Sequence, residues 1–205
     1  MSVITSELIA SSMTYEQYWN LIHQLIAQNK TTGENHSEDM IHYTKMNMQR
    51  SKRVDETIIL SPEMTAVAKA VSEPCILLVI TEWWCGDASQ IVPLFPKLEE
   101  VSEHIKVRFI LRDEHPEVMN QFLTNGGKAI PIVVLLREKD LAVITHWGPR
   151  PQKAQEMVMA YKANQTIPYQ EFVKELQKWY NQNKTISIQQ EWIEILKPLT
   201  ANHNA

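Results

Sequence analysis

Apolar positions along the chain change their period twice, which divides it into a helical start, an alternating middle and a helical end. Near the start, Tyr18, Leu21, Ile22, Leu25 and Ile26 recur at helical spacing. Thr14 can cap that helix, with Gln17 three residues on as in a capping box. Thr31, Thr32, Gly33 and Asn35 stop it near Asn29. A second helix is predicted from near Ser37, with Met40, Ile41, Tyr43, Met46 and Met48 as its apolar face. The middle reads differently. Residues 57–60 form a short β-rich run, and Ser61-Pro62-Glu63 opens a helix with a cap and a proline at its first position. Residues 75–80 are continuously apolar, as in a strand buried on both faces. Residues 86–104 have helical spacing, with Pro93 and Pro96 predicting a kink. A strand over 107–111, a helix over 115–123, strands over 130–136 and 141–146, and a helix over 151–161 follow. Asn125-Gly126-Gly127 is a turn, and two further helices are predicted over 168–180 and 188–196.

The central order is therefore β-α-β-α-β-α-β-β-α. Alternation of strands and helices implies a parallel portion of sheet. The last two strands, a few residues apart, must be antiparallel neighbours. The expected fold class is α/β, a central mixed sheet flanked by helices, with extra helices at both ends. The corresponding organisation is a helical extension over 1–53, a core domain over 54–164 and a second helical extension over 165–205.

Composition narrows the function classes. A chain of 205 residues accommodates one core domain with extensions. Formal charge is −4, with no basic excess to favour nucleic acid. No apolar run approaches the roughly 20 residues of a membrane helix. Residues 1–18 are polar and acidic, unlike a secretory signal, so a reducing cytoplasm is the expected location. Two cysteines, Cys75 and Cys85, exclude a disulfide framework and a four-cysteine zinc site. The histidines are scattered without the i, i+4 spacing of a helical zinc site, and no glycine-rich phosphate loop occurs. Neither a metal nor another cofactor is expected.

The chemistry concentrates in Glu82-Trp83-Trp84-Cys85-Gly86-Asp87-Ala88, between the buried strand and the kinked helix. The carboxyl end of a strand in an open α/β sheet is where ligands bind. A helix start there presents free N–H groups that favour a thiolate over a thiol. Asp87 works the other way, so the net shift of the Cys85 pKa has no sign at this level. Trp84 offers a flat contact surface. Cys75 begins the strand that Cys85 follows. Ten mostly extended residues at about 3.3 Å each keep the two far beyond disulfide reach. Cys75 is therefore assigned to the core, and Cys85 works alone.

Trp84-Cys85-Gly86, followed by a helix carrying Pro93, resembles the active-site segment of the thioredoxin-like superfamily. Asp113 after the next strand, Ile130-Pro131 ahead of a strand, and Gly148 after the last strand fit the same pattern. More narrowly, Trp84-Cys85-Gly86-Asp87-Ala88, Arg112-Asp113, Leu123-Thr124-Asn125-Gly126 and Trp147-Gly148-Pro149-Arg150-Pro151 resemble a bacterial subgroup with a single active-site cysteine. The resemblance covers residues 55–163 and implies the thioredoxin fold. It also implies a cis Pro131 facing Cys85, with the backbone of Ile130 open to an extended peptide or a glutathione-type thiol. Where two-cysteine relatives carry the resolving thiol, this chain has Ala88. Arg150, at the last helix start of that core, is a candidate anion-binding residue.

Two functions follow from different classes. In the first, Cys85 carries out monothiol exchange with a protein or low-molecular-weight disulfide, and an external thiol resolves the product. In the second, the protein is a redox-inactive binding module that presents Trp84, Ile130 and Pro131 to a peptide or protein partner. A peroxidatic thiol is disfavoured, because Glu82-Trp83-Trp84 precede the cysteine in place of proline and threonine. Trp179, Tyr180 and Trp192 must pack either on the core or on a second copy in a homodimer.

Overall fold

A computed structural model describes residues 3–200. Its first helices are α1 (Ser6–Ser11), α2 (Tyr15–Ala27), α3 (Glu38–Thr57) and α4 (Pro62–Ala70). The capping box at α2 forms as the sequence predicts, with Thr14 and Gln17 bonding each other's backbone. Ser61 caps α4 through Met64 N–H, ahead of Pro62. α2 docks through Tyr18, whose ring stacks on Trp83 at 4.5 Å and on Phe109 at 5.2 Å.

The core alternates β1 (Cys75–Thr81), α5 (Ala88–Ile91), α6 (Leu94–Val101), β2 (Ile105–Leu111), α7 (Pro116–Met119), β3 (Ile132–Arg137), β4 (Val143–Trp147) and α8 (Gln152–Ala163). Strand order is β2-β1-β3-β4. β1 runs parallel to β2, and β3 is antiparallel to both β1 and β4. This is the expected mixed sheet flanked by helices. β1 is buried along its whole length, as its unbroken apolar run requires. Met13 pairs with Phe109 through two backbone hydrogen bonds and closes the outer edge of β2.

Three expectations change. Residues 57–60 are not a strand: α3 continues to Thr57, whose hydroxyl bonds to Arg53 O, and Ile59 is 83% exposed. The β-branched run there ends a helix and finds no strand to pair with. The helix over 86–104 is two helices, broken at Pro93. The apolar stripe read for α3 is not its buried face. Thr44, Asn47, Ser51 and Val54 are buried, whereas Tyr43 is 44% exposed.

The chain then adds α9 (Tyr169–Asn183) and α10 (Ile186–Leu196). Trp192 is fully buried against Phe95, and Tyr180 is buried as well, so both pack on their own chain. Among the described residues no helix is long and apolar enough to cross a membrane. Glu191 on α10 accepts from Trp147 Nε1 at 2.6 Å and from Gln152 N–H at 2.8 Å, which caps α8 from a distance. Replacing Glu191 with Ala strands both donors, one of them a free N–H of a helix start. We expect a loss of about 2 kcal/mol in urea unfolding, with Glu191→Gln retaining part of it.

Candidate functional site

β1 delivers its chain to a short turn, and α5 starts three residues after Cys85. The Cys85 thiol donates to Ile130 O at 3.4 Å and accepts from Ala88 N–H at 3.5 Å. The residue is 9% exposed. Burial pushes its thiol up to about 12, and the Asp87 carboxylate adds to that rise. The N–H groups of Ala88 and Asp87 and the Arg150 guanidinium oppose it without prevailing. The question left open by the sequence is thus answered upward. α5 has only four residues, so few aligned peptide dipoles oppose the desolvation. Cys75, at the other end of β1, is likewise pushed up to about 12, by burial and then by Glu138 and Glu73. Both cysteines are free thiols.

Asp87 is buried and paired. Its Oδ2 lies 2.6 Å from Arg150 Nη2, and its Oδ1 accepts from the Tyr180 hydroxyl at 2.9 Å. Arg150 also donates to Gln155 at 3.1 Å, so the candidate anion binder already holds an internal carboxylate. The Ile130–Pro131 bond is cis, and both residues are buried beside the thiol. A second cis bond, Gly148–Pro149, lies directly behind it. Gly148 has φ +125°, and a Cβ there would run into the carbonyl oxygen of Pro131. Trp84 is half-buried, with the Arg112 guanidinium 4.5 Å over its ring, and Arg112 is itself held by Asp113. Ala88 is buried at the start of α5.

The accessory helices supply residues that sequence reasoning missed. Asn47 Nδ2 on α3 donates to Trp83 O at 3.1 Å, and Ser51 on α3 bonds to Ser89 O. Gln177 Nε2 on α9 donates to Gly86 O at 3.2 Å. Thr32, in the loop before α3, accepts from Trp83 N–H at 3.1 Å. One signal was available: Thr44, Asn47 and Ser51 share one face of a helix, a polar stripe at the spacing of a buried one. Glu82 was also missed. It is fully buried and accepts Asp113 N–H at 3.0 Å. Burial pushes its carboxyl up to about 7, against the Thr32 and Asp113 hydrogen bonds.

A sequence profile of the thioredoxin family matches residues 33–167, more than half of the chain. The chain belongs to that family. No curated protein sequence matches it. Among solved structures it is similar to an HIV epitope-scaffold, at 15% identity and a TM-score of 0.53, over 86% of this chain and 95% of that one. A Pseudomonas aeruginosa protein of unknown function is similar at 16% identity and a TM-score of 0.46, over 81% of this chain and 96% of that one. The epitope-scaffold shares the fold, and the family match carries the assignment.

Two variants test the electrostatics. Asp87→Asn removes the charge that opposes the thiolate and leaves Arg150 without its counter-ion. The pH profile of Cys85 alkylation should move to lower pH, while the melting temperature falls. For Glu82, a raised folded pKa means that the protonated form is favoured in the fold. Its contribution is complete below the unfolded value of 4.5 and is lost as pH rises through about 7. Glu82→Gln should therefore stabilise the protein at pH 8 by on the order of 2 kcal/mol and leave it little changed at pH 4.

Proposed function

We propose that this thioredoxin-family protein is a monothiol exchanger, of the single-cysteine Trp-Cys-Gly-Asp-Ala type, acting in a reducing cytoplasm. The observation that carries this reading is the placement of Cys85. Its sulfur lies between the Ala88 N–H and the cis-Pro131 loop, Ala88 stands where a resolving thiol would be, and Cys75 is at the far end of β1. Trp84, Gly86, Asp87, Ile130 and Pro131 shape the surroundings of that sulfur.

The exchange balances with an external thiol. Cys85 loses its proton to water, and its sulfur attacks one sulfur of a disulfide. A new S–S bond forms, the old one breaks, and the departing thiolate takes up a proton. A low-molecular-weight thiol then attacks the sulfur joined to Cys85 and releases the Cys85 thiol. That cycle consumes one external thiol and leaves it joined to the other half of the substrate; a second thiol equivalent, attacking this mixed disulfide, completes the two-electron reduction.

A second reading has one observation in its favour. The thiol rests buried and protonated, which suits a binding module that uses the cis-Pro131 loop without turnover. Partner binding that survives intact in Cys85→Ser would support it.

The test is the mass adduct formed on incubation with a small disulfide. We expect the adduct on Cys85 alone, none on Cys75, and none in Cys85→Ser. Because the thiolate reacts and the thiol titrates near 12, the rate should climb about tenfold per pH unit between pH 7 and 10 without a plateau. Inertness of Cys85 across that range would overturn the exchange reading.

A further inference from the structure

The chain has six arginines. Four of them face carboxylates: Arg108 with Glu99, Arg112 with Asp113, Arg137 with Glu73, and Arg150 with Asp87. The other two, Arg50 and Arg53, lie one turn apart on α3, against the segment that carries Cys85. Arg50 Nη1 bonds to Asn47 Oδ1 at 2.9 Å. That same nitrogen lies 3.9 Å from where a Cβ on Gly86 would stand. Arg53 Nη2 donates to Gln90 Oε1 at 3.3 Å and to Asn181 Oδ1 at 2.6 Å. Each of these acceptors is a neutral amide. Among the described residues, no carboxylate lies within ion-pair distance of either guanidinium.

Arg50 is a half-buried cation, and it sits beside a second one. Burial and the Arg53 charge both push its pKa down. A carboxylate would relieve both, and a charge-assisted hydrogen bond to a guanidinium is among the stronger contacts available. Asp87, the nearest acid in sequence to Cys85, is already committed to Arg150 and Tyr180. We infer that Arg50, with Arg53 behind it, is an anion subsite, and that the disulfide exchanging at Cys85 is a small one bearing carboxylate groups.

Two features set the size. Asn47 from α3 and Gln177 from α9 both hold the turn, at Trp83 O and Gly86 O. Ile130, which a peptide strand would pair with, is 4% exposed. A short substituent on sulfur demands less displacement of these contacts than a folded protein disulfide does. Gly86, which Arg50 lies beside, is the residue next to Cys85, about 3.8 Å away between Cα atoms.

This inference rests on the exchange reading for its covalent step, and the experiment separates the two. Three size-matched disulfides are compared on the full chain: dithiodipropionate, bis(hydroxyethyl) disulfide and cystamine, which are anionic, neutral and cationic. Each adduct rate on Cys85 is divided by the rate of the same disulfide with free 2-mercaptoethanol. We expect the anionic disulfide to be favoured over the neutral one by about tenfold, and the cationic one to be disfavoured. Arg50→Gln should bring the ratio of anionic to neutral rates to near one, and Arg50→Lys should keep most of the preference. Equal rates in the unaltered protein, or a preference that survives Arg50→Gln, would overturn the subsite.

Binding is scored separately. In Cys85→Ser protein, dithiodipropionate should raise the melting temperature, and Arg50→Gln in that background should abolish the rise. If no disulfide reacts but this rise is present and depends on Arg50, the exchange reading fails and the subsite stands. If the rise is absent, the subsite fails, whatever the reactivity of Cys85.

Discussion

Buried backbone that belongs to neither strand nor helix must find hydrogen-bond partners, and residues 82–87 are such a stretch. The sheet has ended at Thr81 and α5 has not begun, yet Glu82, Trp83, Cys85 and Asp87 are buried. The partners come from elsewhere in the chain. Thr32 takes Trp83 N–H, Asn47 gives to Trp83 O, and Gln177 gives to Gly86 O. Arg150 and Tyr180 take the side chain of Asp87. The loop before α3, α3 itself, the start of α8 and α9 are thus placed by what one six-residue turn leaves unsatisfied. This accounts for accessory helices that converge on the site instead of trailing away from the core.

The same convergence sets the state of the thiol. A helix start lowers a cysteine pKa where the helix is long and the sulfur faces water. Here the helix is one turn long, because Pro93 interrupts it, and the cysteine is buried. Desolvation therefore exceeds the dipole. Arg150, which could have tilted the balance, spends its charge on Asp87. The surroundings of Cys85 hold it protonated at rest.

Much of this was legible beforehand, and for identifiable reasons. Caps such as Thr14 and Ser61, and the unbroken apolar run of β1, depend on local chemistry that a sequence displays directly. Ile130-Pro131 and Trp84-Cys85-Gly86 were readable by resemblance. Residues 57–60 misled because β-branched side chains also occur at helix ends, and tertiary pairing decides which. The buried face of α3 was missed because it is polar. Asn47 and Ser51 are buried to serve another segment's carbonyls, and their helical spacing marks the face without naming those partners. The pairing of Asp87 with Arg150 joins positions 63 residues apart, and the isolation of Arg50 is defined only by which carboxylates are absent around it.

The closure around Cys85 has a consequence for chemical lifetime. Irreversible oxidation of cysteine proceeds through the thiolate and needs access for successive oxygen donors. Cys85 is 9% exposed, its thiol donates to Ile130 O and it is pushed up to about 12, so it offers little of either at neutral pH. With no neighbouring thiol to rescue a sulfenic acid as a disulfide, such shelter slows the oxidation of a solitary cysteine. The fold thereby favours a residue that endures in its reduced form.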